Sequence, residues 1–292
     1  VRRPAPARAG TARPARRRPR APRRPNWLAG TGALLWLLVV GLPVYVLLVA
    51  SVRPREGYLS EGPLTPPADP TLDNYVGAVR NGFLTFVANT AVVTVAVAAL
   101  VVVLAVPVGY AVVRARGRWA GGVLRFFLLG LAIPAQAVVI PVYLIIRELG
   151  LYDTLAAIIL PTAAFALPVC VLILTGSMRD ISEDLYEAMA LDGAGSVRTF
   201  LRLVVPLSRP GIATVATYAS LQAWNGLLFP LILTQSRDQR VITLGLFEFQ
   251  GQYRVDIPGM LAAVALSAVP ILILYLVARR SLVNGLMGVG GK

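Results

Sequence analysis

Six long apolar stretches limit what this chain can fold into more than any other feature. They run over about residues 27–52, 86–113, 123–147, 154–178, 211–234 and 259–280, and no Asp, Glu, Lys or Arg falls well inside any of them. A helix needs about 20 apolar residues to cross the hydrocarbon of a bilayer. Inside lipid the backbone must satisfy its own hydrogen bonds, which an α-helix does within one segment. The pattern therefore predicts an all-α integral membrane protein with six transmembrane helices. Composition agrees: 57% of the 292 residues are hydrophobic and 14% charged, too few charges for a soluble domain of that length.

The loops set the expected orientation. Ten of the 28 basic residues lie in the first 24 positions, in an arm over residues 1–26 made largely of Arg, Pro and Ala. Such a segment has almost nothing to bury and is expected to be disordered. Further basic residues on the same side are Arg114, Arg116, Arg118, Arg125, Arg179, Arg198, Arg202, Arg209, Arg279, Arg280 and Lys292. The other side holds only Arg53, Arg55, Arg80, Arg147, Arg237, Arg240 and Arg254. The excess of positive charge predicts that both termini face the cytoplasm. The net charge of +14 is then a tail beside anionic membrane lipid and not a nucleic-acid surface. The first apolar run is longer than a cleavable signal core, so it is expected to remain as an anchor. The chain divides into the arm, 1–26, and a six-helix domain, 27–292. Outside, residues 53–85 read as extended chain and turns, with a second external loop over 235–258.

Chemistry inside the spans is neutral. Every span carries proline (Pro43, Pro107, Pro134, Pro141, Pro161, Pro168, Pro230, Pro270), which frees a backbone carbonyl and kinks a helix. Ion-coupled carriers place ionisable groups at membrane depth, and these spans hold none. Their polar residues are Asn89, Thr90, Thr94, Gln136, Thr162, Thr217, Gln222 and Asn225. These suit an uncharged, hydroxyl-rich solute, with Trp224 as a stacking surface; Gln136, Gln222, Trp224 and Asn225 are the candidates for a translocation path. The competing reading is that the polar groups join helices and that Trp224 belongs to the interfacial belt. No histidine is present, and Cys170 is the sole cysteine. The terminal GLMGVGGK lacks the spacing and the final Ser or Thr of a phosphate-binding loop. No cofactor, metal or catalytic constellation is expected in the chain itself, so it does not read as an enzyme.

Residues 177–210 are different in kind. Ser182 is placed as an N-cap, with Glu183 and Asp184 in the first turn and Ile181 and Tyr186 at the positions of a hydrophobic staple. Leu185, Ala188 and Met189 form a narrow apolar face, and Gly193 is placed to end the helix in the left-handed conformation. Ser196 opens a second helix with Val197, Phe200, Leu201 and Val204 on one face and Arg198 and Arg202 on another, closed by Pro206 and Pro210. Such a helix–turn–helix is either a docking element for a partner or an interfacial helix on lipid.

The run EAMALDGAGSVRTFLRLVVPLSRP, residues 187–210, resembles the EAA motif of bacterial ABC-importer permeases. The match covers Glu187, Ala188, Asp192, Gly193, Ala194, Phe200, Pro206, Leu207 and Pro210, and departs at Met189, where alanine is usual. WNGLLFPLIL (224–233), LGLYDTLAAIILP (149–161) and NGLMGVGGK at the carboxyl end are similar to stretches of the carbohydrate-uptake, maltose-transporter type. The resemblance implies the type I importer permease fold. It also implies a coupling helix in which Glu187, Ala188, Met189, Asp192, Gly193 and Ala194 meet an ATPase subunit. The implied partners are two ATP-binding subunits holding ATP and magnesium, a second homologous permease, an extracytoplasmic sugar-binding protein, and a sugar. A permease for a polyamine or peptide, and a stand-alone secondary carrier, are the alternative readings. Acidic groups at membrane depth would favour the polyamine, and an inverted repeat the carrier.

Overall fold

A computed structural model describes residues 27–55, 58, 62, 64–114, 118–249 and 256–290. The arm expected to be disordered, 1–26, lies outside the described residues. The chain divides into two compact units, Val1–Val44 and Tyr45–Lys292. The described part of the first is the start of helix α1 (Trp27–Ser51), an apolar helix that keeps Pro43 within it.

The second unit is built on three helices. α3 (Phe83–Arg114) packs along α6 (Leu155–Arg179) and α10 (Arg209–Trp224). The buried stripe of α3 is Val93, Val97, Val101 and Ala105, a four-residue repeat that keeps one helix face toward its neighbours. Facing it are Ala163, Ala166, Cys170, Val171 and Leu174 of α6 and Val215, Ala219 and Ala223 of α10. Small residues dominate because helices in lipid gain from close packing and not from escaping water. α10 approaches α6 closely at Gly211: a Cβ there would stand 2.6 Å from the Ser177 hydroxyl oxygen and 2.8 Å from its Cβ.

Among the described residues, three helices are long and apolar enough to cross a membrane: Trp27–Ser51, Phe83–Arg114 and Leu155–Arg179. The third expected span, 123–147, is not one helix. It is α4 (Arg118–Leu131), a 3₁₀ turn at Ala135–Val138 and α5 (Val139–Glu148), and counting this pair as one span gives four. The two parts meet at 88°. Pro134 sits at the corner with extended backbone, φ −69° and ψ 132°, and has no N–H to continue the ladder. The fifth expected span, 211–234, is also broken, into α10 and α11 (Leu228–Leu233). A helix through this point would need an N–H at residue 230 to satisfy the Gly226 carbonyl, and Pro230 has none. That carbonyl instead accepts the Thr243 hydroxyl at 2.8 Å. The prolines at 107, 161 and 168 stay inside continuous helices. The sixth stretch lies within one helix, α13 (Ile257–Gly290), which keeps Pro270 inside it.

The connections expected as turns contain further helix. Asp73–Arg80 forms α2, anchored where the buried Asn74 amide donates to the carbonyls of Ser51 and Arg53 at 2.9 and 2.8 Å. The later connection includes α12 (Ile242–Gly245) and 3₁₀ turns at Arg237–Gln239 and Leu246–Phe249.

Candidate functional site

α7 (Glu183–Leu191) begins and ends as its local sequence dictates. The Ser182 side chain accepts from the Asp184 N–H at 3.3 Å, and two acids occupy the first turn, where the helix dipole favours negative charge. At the other end Gly193 takes φ +70°. Its N–H donates to Ala190 O at 3.0 Å, and the Ala194 N–H reaches Met189 O at 2.9 Å. This pair of bonds is a Schellman cap, which needs the left-handed residue that glycine supplies without strain.

The inner side of α7 is held by Tyr186, only 5% exposed, which joins Ile181, Met178 and Val204 in the main core. Burial pushes the Tyr186 phenol up from its ordinary value. Arg114, the last residue of α3, lies over this ring with Cζ 4.2 Å from the centroid, and its Nη1 reaches the two Glu183 carboxylate oxygens at 2.7 and 2.8 Å. The ion pair is partly solvated and contributes about 0.2–1 kcal/mol, with the cation–π contact adding about as much or more. The outer side is bare: Glu187, Ala188, Asp192 and Gly193 are exposed, Met189 and Ala194 are half-buried, and Leu191 is 89% exposed.

The second helix differs from expectation. α8 (Ser196–Thr199) runs into a π turn at Phe200–Val204, then α9 (Val205–Leu207), and only Ser208 separates it from α10. Pro206 and Pro210 therefore do not close it. Pro206 sits inside the run, where its ring would press on the Arg202 carbonyl, and the widened turn lies at that carbonyl. Pro210 falls in the first turn of α10, where its missing N–H costs nothing. The expected apolar face also splits. Phe200 and Val204 turn inward, while Val197 and Leu201 stay exposed. Leu185 and Ala188, placed on the apolar face of α7, are exposed too, because Tyr186 takes the buried position.

The four path candidates scatter around the two helix breaks. Gln136 is exposed in the 3₁₀ turn between α4 and α5, and Gln222 is exposed on α10. Asn225 is the first residue past α10, exposed, its amide donating to Leu221 O at 2.9 Å. Trp224 is buried at 8% exposure. α5 and α11, the helices that follow the breaks, pack on each other through a cluster that includes Ile146, Phe229 and Leu233. Asn225 lines a cleft of ≈ 350 Å³ with Leu227, Thr243, Leu246, Phe247 and Met260; Gln136, Gln222 and Trp224 are not on its wall.

Carboxylates tie the loops at the far ends of these helices. Asp153, in the left-handed region at φ 60°, accepts the Gln235 and Ser236 N–H groups at 2.8 and 2.9 Å and the Ser236 hydroxyl. The hydroxyl and these amides hold its carboxyl below the usual carboxylate range. Glu248 pairs with Arg240 at 2.6 Å and with Arg237 at 2.8 Å, and Asp256 pairs with Arg55. Asn89 donates to the carbonyls of Asp238 and Arg240 at 2.7 and 2.9 Å, so one of the polar residues read within a span fastens a loop.

Residues 101–284, which include both α7 and the break at Asn225, match the family described as the binding-protein-dependent transport system inner membrane component. The chain belongs to this family. It is a family of non-enzymatic ABC-transporter permease components embedded in the membrane. The chain is 31% identical to a diacetylchitobiose uptake system permease protein of Streptomyces coelicolor, over 85% of this chain and 82% of that one. It is 33% identical to a trehalose transport system permease protein of Mycobacterium tuberculosis, over 87% and 94%. Its fold is that of a chain in the crystal structure of a bacterial ABC transporter involved in the import of the acidic polysaccharide alginate. There the TM-score is 0.76 at 20% identity, covering 90% of this chain and 99% of that one.

Three features of this permease escaped the sequence reading. Arg114 counted there only as a loop charge, yet it is the residue that joins α3 to α7. Thr243, which satisfies the carbonyl freed at the break, lies 17 residues from Gly226 and carries no local signal. Asp153 joins Ser236 across 83 positions, although its place in the stretch 149–161 marked that segment as distinctive.

Proposed function

We propose that this permease translocates a sugar or oligosaccharide across the bacterial cytoplasmic membrane, driven by ATP hydrolysed in partner subunits. Six spans with both termini in the cytoplasm place α7 on the cytoplasmic side, as the coupling helix. The observation that carries the reading is a double-capped α7, locked on its inner side by Tyr186 and Arg114 while its outer side presents Glu187, Ala188, Leu191 and Asp192 to no partner among the described residues. A rigid, exposed element of this kind accepts force from a docked protein. In this reading Glu187, Ala188, Met189, Asp192, Gly193 and Ala194 meet the ATPase subunit, which holds the ATP and magnesium.

The complete assembly has two ATPase subunits, a second homologous permease and an extracytoplasmic binding protein that delivers the solute. ATP-driven closure of the ATPase pair then reorients the spans around the path. Sugar is favoured by the two relatives named for diacetylchitobiose uptake and trehalose transport, and by spans whose polar groups are neutral. Asn225 at the break, with Gln136 and Gln222, offers amide groups to hydroxyls, and Trp224 backs the break from within.

The test is sugar uptake by the reconstituted assembly with ATP supplied on the α7 side. Gly193→Val, which forces a branched residue to φ +70°, and Glu187→Ala are expected to cut uptake while the complex still forms. Normal uptake in both variants contradicts the coupling role, and uptake that survives ATP depletion contradicts the importer.

A further inference from the structure

The two arms of the helix–turn–helix are fastened to successive turns at the end of α3. Arg114 holds the first arm through Glu183 and Tyr186. Tyr110, one helical turn earlier, holds the second: its ring centroid is 5.3 Å from that of Phe200, and its hydroxyl lies 3.4 Å from Ser196 O. Along the chain, by contrast, α7 is joined to its neighbours only by short non-helical links, Asp180–Ser182 before it and Asp192–Gly195 after it. The second link contains Gly193 and Gly195. A push delivered to α7 through these links alone would be absorbed by their rotation. A push delivered through side-chain contacts on α3 reaches the helix that carries the central stripe of the core.

We infer that Arg114 and Tyr110 are positioning residues that make α3 the bearing of the coupling element, so that displacement of α7 and α8 becomes tilting of α3. The inference rests on the coupling role proposed for α7. Arg114 suits the task because a planar guanidinium stacks on Tyr186 and pairs with Glu183 at once, which the point charge of a lysine does less well. Tyr186 is packed against α6 and the π turn, and so closes the triangle between α3, α7 and the second arm.

The readout is solute taken up per ATP hydrolysed, measured with the complete transporter in proteoliposomes. This ratio is insensitive to how much transporter assembles, so a purely structural loss leaves it unmoved. Arg114→Ala is expected to lower it by about fivefold or more, the range of ordinary coupling energies. Arg114→Lys should fall between Arg114→Ala and the parent. Glu183→Gln probes the pair from its solvent side, where the carboxylate is 60% exposed and no packing is lost, and should shift the ratio the same way. Exchanging the charges in Arg114→Glu with Glu183→Arg should recover part of it.

A thiol–amine cross-linker on Ala188→Cys separates the two ways of failing. Cys170 is buried and does not compete for the reagent. If Ala188→Cys captures the ATPase subunit while Arg114→Ala and Glu183→Gln both keep the parent ratio, α3 is not the bearing and the inference alone is overturned. If Ala188→Cys captures no ATPase subunit in the assembled transporter, the coupling reading falls and takes the inference with it.

Discussion

Tyr186 carries a hydroxyl into the packed junction of α3, α6 and α7, where the oxygen has no hydrogen-bond partner among the described residues. The ring is then what matters, not the phenol. Tyr186→Phe should leave thermal unfolding in detergent nearly unchanged, since it removes an unsatisfied group. Tyr186→Ala should lower stability by about 3–5 kcal/mol, the usual cost of deleting a buried aromatic. Asp153 behaves in the opposite way, because its charge is fully used. The Ser236 hydroxyl and the Gln235 and Ser236 amides hold its carboxyl below the unfolded value of about 3.9. A lowered carboxylate value stabilises the fold above the unfolded value, and that stabilisation is lost as pH falls through the folded one. Protection of the 235 and 236 amides, taken relative to their intrinsic exchange rates, should accordingly persist at pH 5 and be lost only in stronger acid. In Asp153→Asn it should be lower at pH 5 and no longer depend on acid.

The elements show which parts of this structure were legible in the sequence. Ser182 and Gly193 act within a few residues of their own positions, so the cap pattern alone placed both ends of α7. The helix breaks were not visible, because hydropathy reports whether a stretch is apolar and not whether its backbone is continuous. Residues 211–234 read as one span, yet Pro230 removes the N–H that Gly226 would need, and the compensating Thr243 hydroxyl comes from a later loop. Pro206 shows the converse: proline was read as a stop, and the run absorbs it in a π turn. The close contact of α6 with α10 was equally hidden. Gly211→Ala should overpack it and cost about 1–3 kcal/mol, read by thermal unfolding. Adding Ser177→Gly, which removes both atoms a Cβ would strike, should restore most of that loss.

For the molecule as a whole, the spans supply neutral polar groups and packing, and the charges gather at the ends of the helices, in Arg114 with Glu183 at one end and Asp153, Glu248 and Asp256 in the loops of the other. A chain built this way can shape a path, and its apolar stretches hold no Asp, Glu, Lys or Arg well inside them, the groups that ion-coupled carriers place at depth. In the proposed function the driving force enters through α7, from a partner that hydrolyses ATP. Co-purification of the tagged chain from native membranes in mild detergent, with its partners identified by mass spectrometry, tests this most directly. The account predicts recovery of an ATPase subunit, a second permease and a binding protein. Recovery of the chain alone, or only with copies of itself, from membranes in which it transports would contradict it.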